Sequence, residues 1–174
     1  MEFTSLKKIG VQMSSWTRES TADIGLRVFS NNLSNLFKET SIGMQYLILP
    51  DGLREKVQAE IRNTAEWSVS LQLQDYESLM IIWLEEILYR LEVHEEFLVD
   101  CQCIIKTEGE LLTCQAQVSW ISSEKIVREI EIKAITSHDF RIKELSHGEI
   151  VNPNSANIPQ LIGPGWMCDV IFDI

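Results

Sequence analysis

The stretch Tyr76–Glu92 constrains the fold more than any other. Its apolar positions are Leu79, Met80, Ile81, Ile82, Trp83, Leu84, Ile87, Leu88 and Leu91. They recur at helical spacing but cover a wider face than the single stripe of a surface helix. The segment is predicted as the central core helix, with Asp75 as its N-cap. The rest of the chain has to supply its cover.

Strands are predicted before and after it. In Ser20–Phe29, Ile24, Leu26 and Val28 point one way, and Asp23, Gly25, Arg27 and Phe29 the other. Asp23 falls at the start of this strand, within reach of water or a metal. The final residues, Trp166–Ile174, also read as a strand. Termini are usually loose, so a chain ending on an apolar strand residue suggests a fixed place for that end. The expectation is that Asp23, Asp173 and the carboxylate of Ile174 converge around a hard cation. All their donors are oxygen, which suits calcium, magnesium or manganese better than zinc. Three like charges repel by about 1 to 4 kcal/mol per pair at 4 Å, depending on the dielectric. Such a set needs a cation, a proton or a basic group. Taken alone, Asp23 would be a strand-end cap or a surface ion pair.

The intervening chain fills in an α+β domain, a layered sandwich of a mainly antiparallel sheet with two main helices. Met1–Ser15 is weakly patterned, and residues 1–14 are assigned to an N-terminal extension ahead of a single domain, 15–174. Ser15–Arg18 forms a short first strand. A helix follows, capped by Asn31 or Asn32, with Leu33, Leu36, Phe37, Met44, Leu47 and Ile48 as its stripe. Pro50-Asp51-Gly52 ends it. Leu53–Asn63 is ambiguous, loop and then strand. Trp67, Val69, Leu71 and Leu73 alternate with polar residues as a half-buried strand. After the core helix come Phe97–Lys106, a turn at Glu108-Gly109, and a strand carrying Leu112, Cys114, Ala116, Val118 and Trp120. A further strand has Ile126, Arg128, Ile130, Ile132 and Ala134 on one face, and His138–Leu145 is another. Ser146–Gly165, with Pro153, Pro159 and Pro164, is a long loop of the kind that is functional or disordered.

The totals narrow the function. At 174 residues, 45% hydrophobic and 24% charged, this is one ordinary globular domain. A net charge of −11 argues against nucleic acid or an anionic membrane as direct ligand and favours a basic partner or a divalent cation. Met1–Ser15 lacks the apolar core of a signal peptide. The most apolar run, Leu79–Leu91, is broken by Glu85, Glu86 and Arg90, so no membrane span is expected. Cys101, Cys103, Cys114 and Cys168 lie in apolar strand patterns and read as reduced, buried residues of a cytoplasmic protein. A thiolate site from Cys101 and Cys103 lacks an adjacent ligand cluster.

Four segments, in order and at the right spacing, resemble the archease family: Thr21-Ala22-Asp23-Ile24-Gly25-Leu26-Arg27-Val28, Ile81–Tyr89, Glu131–His138 and Val170–Ile174. The resemblance covers nearly all of Ser15–Ile174, and the 146–165 loop looks longer than usual for the family. It implies a small acidic α+β sandwich protein that is not itself an enzyme. Such a protein assists a GTP-dependent RNA ligase in tRNA splicing and RNA repair, promoting its guanylylation and repeated turnover. It also implies Asp23, Asp173 and Ile174 as metal ligands, with Lys133 in the same functional patch. The chain departs from the family at Ser20, where a histidine usually stands.

Each of these residues has a plainer reading. Lys133 is either a cross-strand ion-pair partner or a donor to phosphate or to a partner's acidic groups. His138-Asp139 is either a pair for acid–base work or has a turn-capping or core-edge role. A stand-alone metal-dependent phosphoesterase with His138 as base, and a chaperone-like binding module, remain as alternative functions. No phosphate-cradling glycine loop or nucleophile motif supports the first of these.

Overall fold

In the computed structural model, residues 6–8, 11–17, 23–72 and 74–174 are described. Ser20, with the residues before Asp23 in the strand, falls outside them, as does Leu73. The chain forms β1 (Leu6–Lys8), β2 (Val11–Thr17), β3 (Asp23–Ser30), α1 (Leu33–Ile48), α2 (Arg54–Ala59), β4 (Asn63–Leu71) and α3 (Tyr76–Val93). There follow β5 (Glu96–Glu108), β6 (Leu111–Ser122), β7 (Ala134–Leu145), β8 (Ile150–Val151), β9 (Leu161–Ile162) and β10 (Gly165–Asp173).

The strands make two main antiparallel sheets. One has the order β1-β2-β3-β10-β7, the other β4-β6-β5. α1 packs on both β3 and β5, and α3 on both β7 and β4, so the helices lie between the sheets. That position explains why α3 is apolar on so wide a face: Leu79, Met80, Trp83, Leu84 and Ile87 are all buried. It also explains why α1 is buried well beyond its predicted stripe, including Thr40, Ser41 and Gln45. Ser41 Oγ donates to Phe37 O and accepts from Trp83 Nε1 at 2.8 Å, tying α1 to α3.

Local signals set the element ends. The Asn32 side chain accepts from Asn35 N and caps α1, and Asp75 accepts from Glu77 N to cap α3. Gly109 opens the two-residue β5–β6 connection at φ 63°, as a II′ turn requires. Gly43 brings α1 close to β3, since a Cβ there would lie 2.7 Å from a Leu26 methyl.

Several expectations change. β2 begins at Val11, ahead of the predicted start at Ser15, and pairs with β3. The ambiguous stretch after Gly52 contains the short helix α2. The strand predicted over 126–134 does not form, and 134–145 is one long strand with a bulge. Residues 126–133 cross from one sheet to the other without a strand alongside. Their backbone bonds are single ones, such as Glu129 N to Ile48 O and Lys133 N to Asp173 O, both 2.8 Å. The inside–outside alternation survives because an extended chain has period two whether or not it is paired. Ile132 is buried, whereas Ala134 is exposed. All four cysteines are free and buried.

Candidate metal-binding rung and its surroundings

The alternation in β3 holds. Ile24, Leu26 and Val28 enter the main core, together with Cys168, Val170 and Phe172 of β10. Antiparallel pairing then puts the opposite residues on the outer face. Phe29 pairs with Met167, Arg27 with Asp169, Gly25 with Ile171, and Asp23 with Asp173. The two predicted aspartates are thus directly opposed across one rung, where side chains share a face with Cβ atoms roughly 5 Å apart. Both are half-buried.

The next strand adds to this rung. Asp173 pairs on its other side with Ala134, and the Lys133 N–H donates to Asp173 O. Lys133 is exposed, with its backbone next to Asp173, and no described side-chain bond or ion pair of Lys133 with Glu129 or Glu131 accompanies it. Ile174 follows Asp173 and is half-buried, packing against the main core. Four of the five predicted residues, Asp23, Asp173, Ile174 and Lys133, therefore meet at one end of the five-stranded sheet.

His138 does not join them. The β7–β10 register shifts between Asp169 and Ile171, which leaves Ser137–Phe140 outside the pairing; Ser137, His138 and Asp139 are exposed, while Phe140 is buried in the main core. His138 lies in this bulge with its side chain 76% exposed, 3.5 Å from Asp139, whose φ is 56°. The bulge, rather than a turn, sets its position.

Two aspartate side chains on one face are hard oxygen donors, so the rung fits a hard divalent cation. Among the described residues, no group of three or more His, Cys, Asp or Glu side chains is placed to hold a metal. The sequence expectation adds the Ile174 carboxylate to this pair as a third oxygen ligand. A depression of about 220 Å³ lined by Thr64, Asp100, Cys101, Gln102, Gln117, Val118 and Ser119 belongs to the other sheet and contains none of the predicted residues.

Two rungs along the same outer face from the aspartates lies a group that sequence reasoning missed. Arg27 Nε donates to Asp169 Oδ1 at 2.6 Å and Nη2 to Oδ2 at 2.7 Å, a bidentate pair. Arg27 Nη1 donates to Asn152 O at 3.0 Å. Arg27 is 5% exposed and Asp169 8%. The 146–165 segment, read as a loop, contains the β8–β9 ribbon and covers this face. Val151 and Leu161 pack with Leu145, Met167 and Phe29 in a second small core.

A model of the Archease protein family matches residues 16–174. The chain belongs to the archease family. It is 33% identical to Protein archease of Pyrococcus abyssi over 165 residues, 93% of this chain and 100% of that protein. With Protein archease of Pyrococcus furiosus it shares 30% over 167 residues, again 93% and 100%. The solution structure of Methanobacterium thermoautotrophicum protein 1598 superposes with a TM-score of 0.60 at 18% identity, covering 95% of this chain and 99% of that one. That likeness speaks for the archease fold. As in the sequence expectation, no described helix is long and apolar enough to cross a membrane.

Proposed function

We propose that this archease-family chain is a non-catalytic cofactor protein for a GTP-dependent RNA ligase, promoting guanylylation and multiple turnover in tRNA splicing and RNA repair. The observation that carries the reading is the directly opposed Asp23–Asp173 pair, with Lys133 beside it at the same sheet end. Asp23, Asp173 and the Ile174 carboxylate would hold a divalent cation, calcium first and magnesium or manganese otherwise. When bound, the cation supplies positive charge that can engage phosphate or a partner's carboxylates. The chain's own part is to fix two carboxylates on one face by strand register and to offer Lys133 as a neighbouring donor. His138, out on the bulge, would be an outer contact of the same patch.

A net charge of −11 supports a basic protein surface as the partner and tells against stable nucleic-acid binding of the chain itself. The proposed setting is the cytoplasm. The phosphoesterase alternative draws no support from His138, which the bulge separates from the aspartate rung. The deciding experiment measures ligase turnover with Asp23→Ala and with Asp173→Ala. Loss of stimulation in both is expected, and full stimulation by both would eliminate the proposal.

A further inference from the structure

The outer face of the five-stranded sheet is covered further than its small second core requires. Leu145, Leu161 and Met167 form that core near the start of β10. Beyond it, Asp169 is buried beneath the segment that carries Asn152. One rung further on, Gly25 is buried and Ile171 is only 3% exposed, although both face outward. Asp23 and Asp173 come next, and there burial falls to half. The cover thins at the aspartates.

We propose that residues 152–160 form one wall of the aspartate site, and that Arg27 is the positioning residue that holds this wall on the sheet. The inference rests on the reading of Asp23 and Asp173 as a cation site. Val151 and Leu161 anchor the ribbon in the second core, and Arg27 catches it one residue further on, at Asn152 O. The chain between Asn152 and Gln160 then has the half-buried end of the face, at Asp23 and Asp173, before it. Ile158 in this stretch is 3% exposed, so its side chain is seated in protein. The stretch also carries Asn154, Ser155 and Asn157, amide and hydroxyl groups suited to a site for a hard cation and its bound waters.

The geometry of Arg27 suits the task. Two donors lock onto one carboxylate and leave a third for the strap, which a lysine ammonium would not reproduce in one plane. A buried ion pair is a weak way to stabilise a fold, because desolvation offsets most of the attraction. Placing it here has a clearer purpose as a fixed anchor for a segment with little core of its own.

The test uses the full chain and calcium chloride. Arg27→Met with Asp169→Leu removes the clamp without stranding a buried charge. A second variant replaces residues 153–158 by two glycines and leaves Arg27, Asp169 and Asn152 in place. Calorimetry reads calcium affinity, amide hydrogen exchange reads the strap, and a thermal melt reads the fold. Both variants should melt cooperatively and bind calcium about 10- to 100-fold more weakly, the range seen when groups supporting a metal site are lost. The clamp variant should also exchange faster over residues 150–162, and Arg27→Lys should recover neither affinity nor protection. A purely structural role would leave affinity untouched once folding is intact. If the wild-type chain binds and either folded variant binds equally, or the strap keeps its protection without the clamp, the inference is overturned while the cation site stands. A wild-type chain that takes no divalent cation overturns both. A shortened chain that fails to fold leaves the decision to the clamp variant, and the reverse holds too. If neither melts cooperatively, Arg27→Lys decides, and full affinity and protection there overturns the inference.

Discussion

Removing one carboxylate from the aspartate rung should stabilise the chain in a chelator and abolish the stabilisation by calcium that the proposed site requires. Asp173→Asn is the substitution to make, because Asp23 carries a further interaction of its own. The amide is nearly isosteric, and the bond from Lys133 N to Asp173 O is main-chain, so the ladder survives. Two unit charges about 5 Å apart repel by about 0.8 kcal/mol in water and about 3 kcal/mol at an effective dielectric of 20. Both aspartates are half-buried, so the lower part of this range applies, about 1 kcal/mol. In a domain of this size that corresponds to about 2–4 °C in Tm. The variant should therefore melt above wild type in a chelator at low salt, and the gain should shrink as salt rises. With calcium at about 100 times its Kd the wild type should gain about 2.7 kcal/mol and the variant none, which reverses the order. Differential scanning calorimetry in the two buffers reads both quantities. A variant that melts below wild type in chelator, or one that gains as much from calcium, would refute the claim that these carboxylates face each other across a shared site.

Three further outcomes follow from particular contacts. Gly163→Ala should destabilise the chain by more than about 2 kcal/mol in urea, since a Cβ there would lie 2.1 Å from Ser146 O, a backbone atom that cannot turn aside. Ser41→Ala should cost about 1–3 kcal/mol by chemical denaturation, because it leaves the buried Trp83 N–H without its acceptor. The Glu149 carboxyl is held below the usual carboxylate range by its bond from the Lys143 ammonium and then by the Ser146 N–H. A lowered folded-state pKa contributes stability above the ordinary carboxylate range and loses it as pH falls through the folded value. NMR titration should find Glu149 protonating late, and Lys143→Met should move it back up; an unchanged titration would sink this reading.

The elements legible in the sequence are those whose partners are close in the chain or whose pattern is complete in itself. Asn32 and Asp75 marked the two long helices because a cap acts within three residues. β4, β5 and β6 were visible because neighbouring strands alternate and Gly109 signals the turn. The face assignment in β3 placed Asp23 and Asp173 together as soon as β3 and β10 paired. The strand assigned to 126–134 shows the limit of this logic. Alternation reports which way side chains point, while a strand also needs a neighbour for its backbone, and none lies beside that stretch.

The outer face of the sheet was hidden for a related reason. Arg27 stood on the correct face, next but one to the aspartate that drew attention, yet its partner Asp169 is 142 positions away. A single arginine at an alternate strand position reads as solvent-exposed, because most charged residues are. What distinguishes it is the cover: the outward residues Gly25 and Ile171 are apolar, and Arg27 and Asp169 neutralise each other, so the strand is buried on both faces. The polar, proline-punctuated composition of residues 146–165 points to a loop and conceals the four-residue ribbon within it, since β8 and β9 are only two residues each. Their inward residues, Val151 and Leu161, are too few to form a pattern. Where the strap crosses Arg27 and Asp169, the two satisfy each other and the Asn152 carbonyl, so no buried polar group is left open beneath it. If that pair were replaced by two unpaired polar groups, the same segment would have to lift off to let water in, and the face leading to Asp23 and Asp173 would open with it.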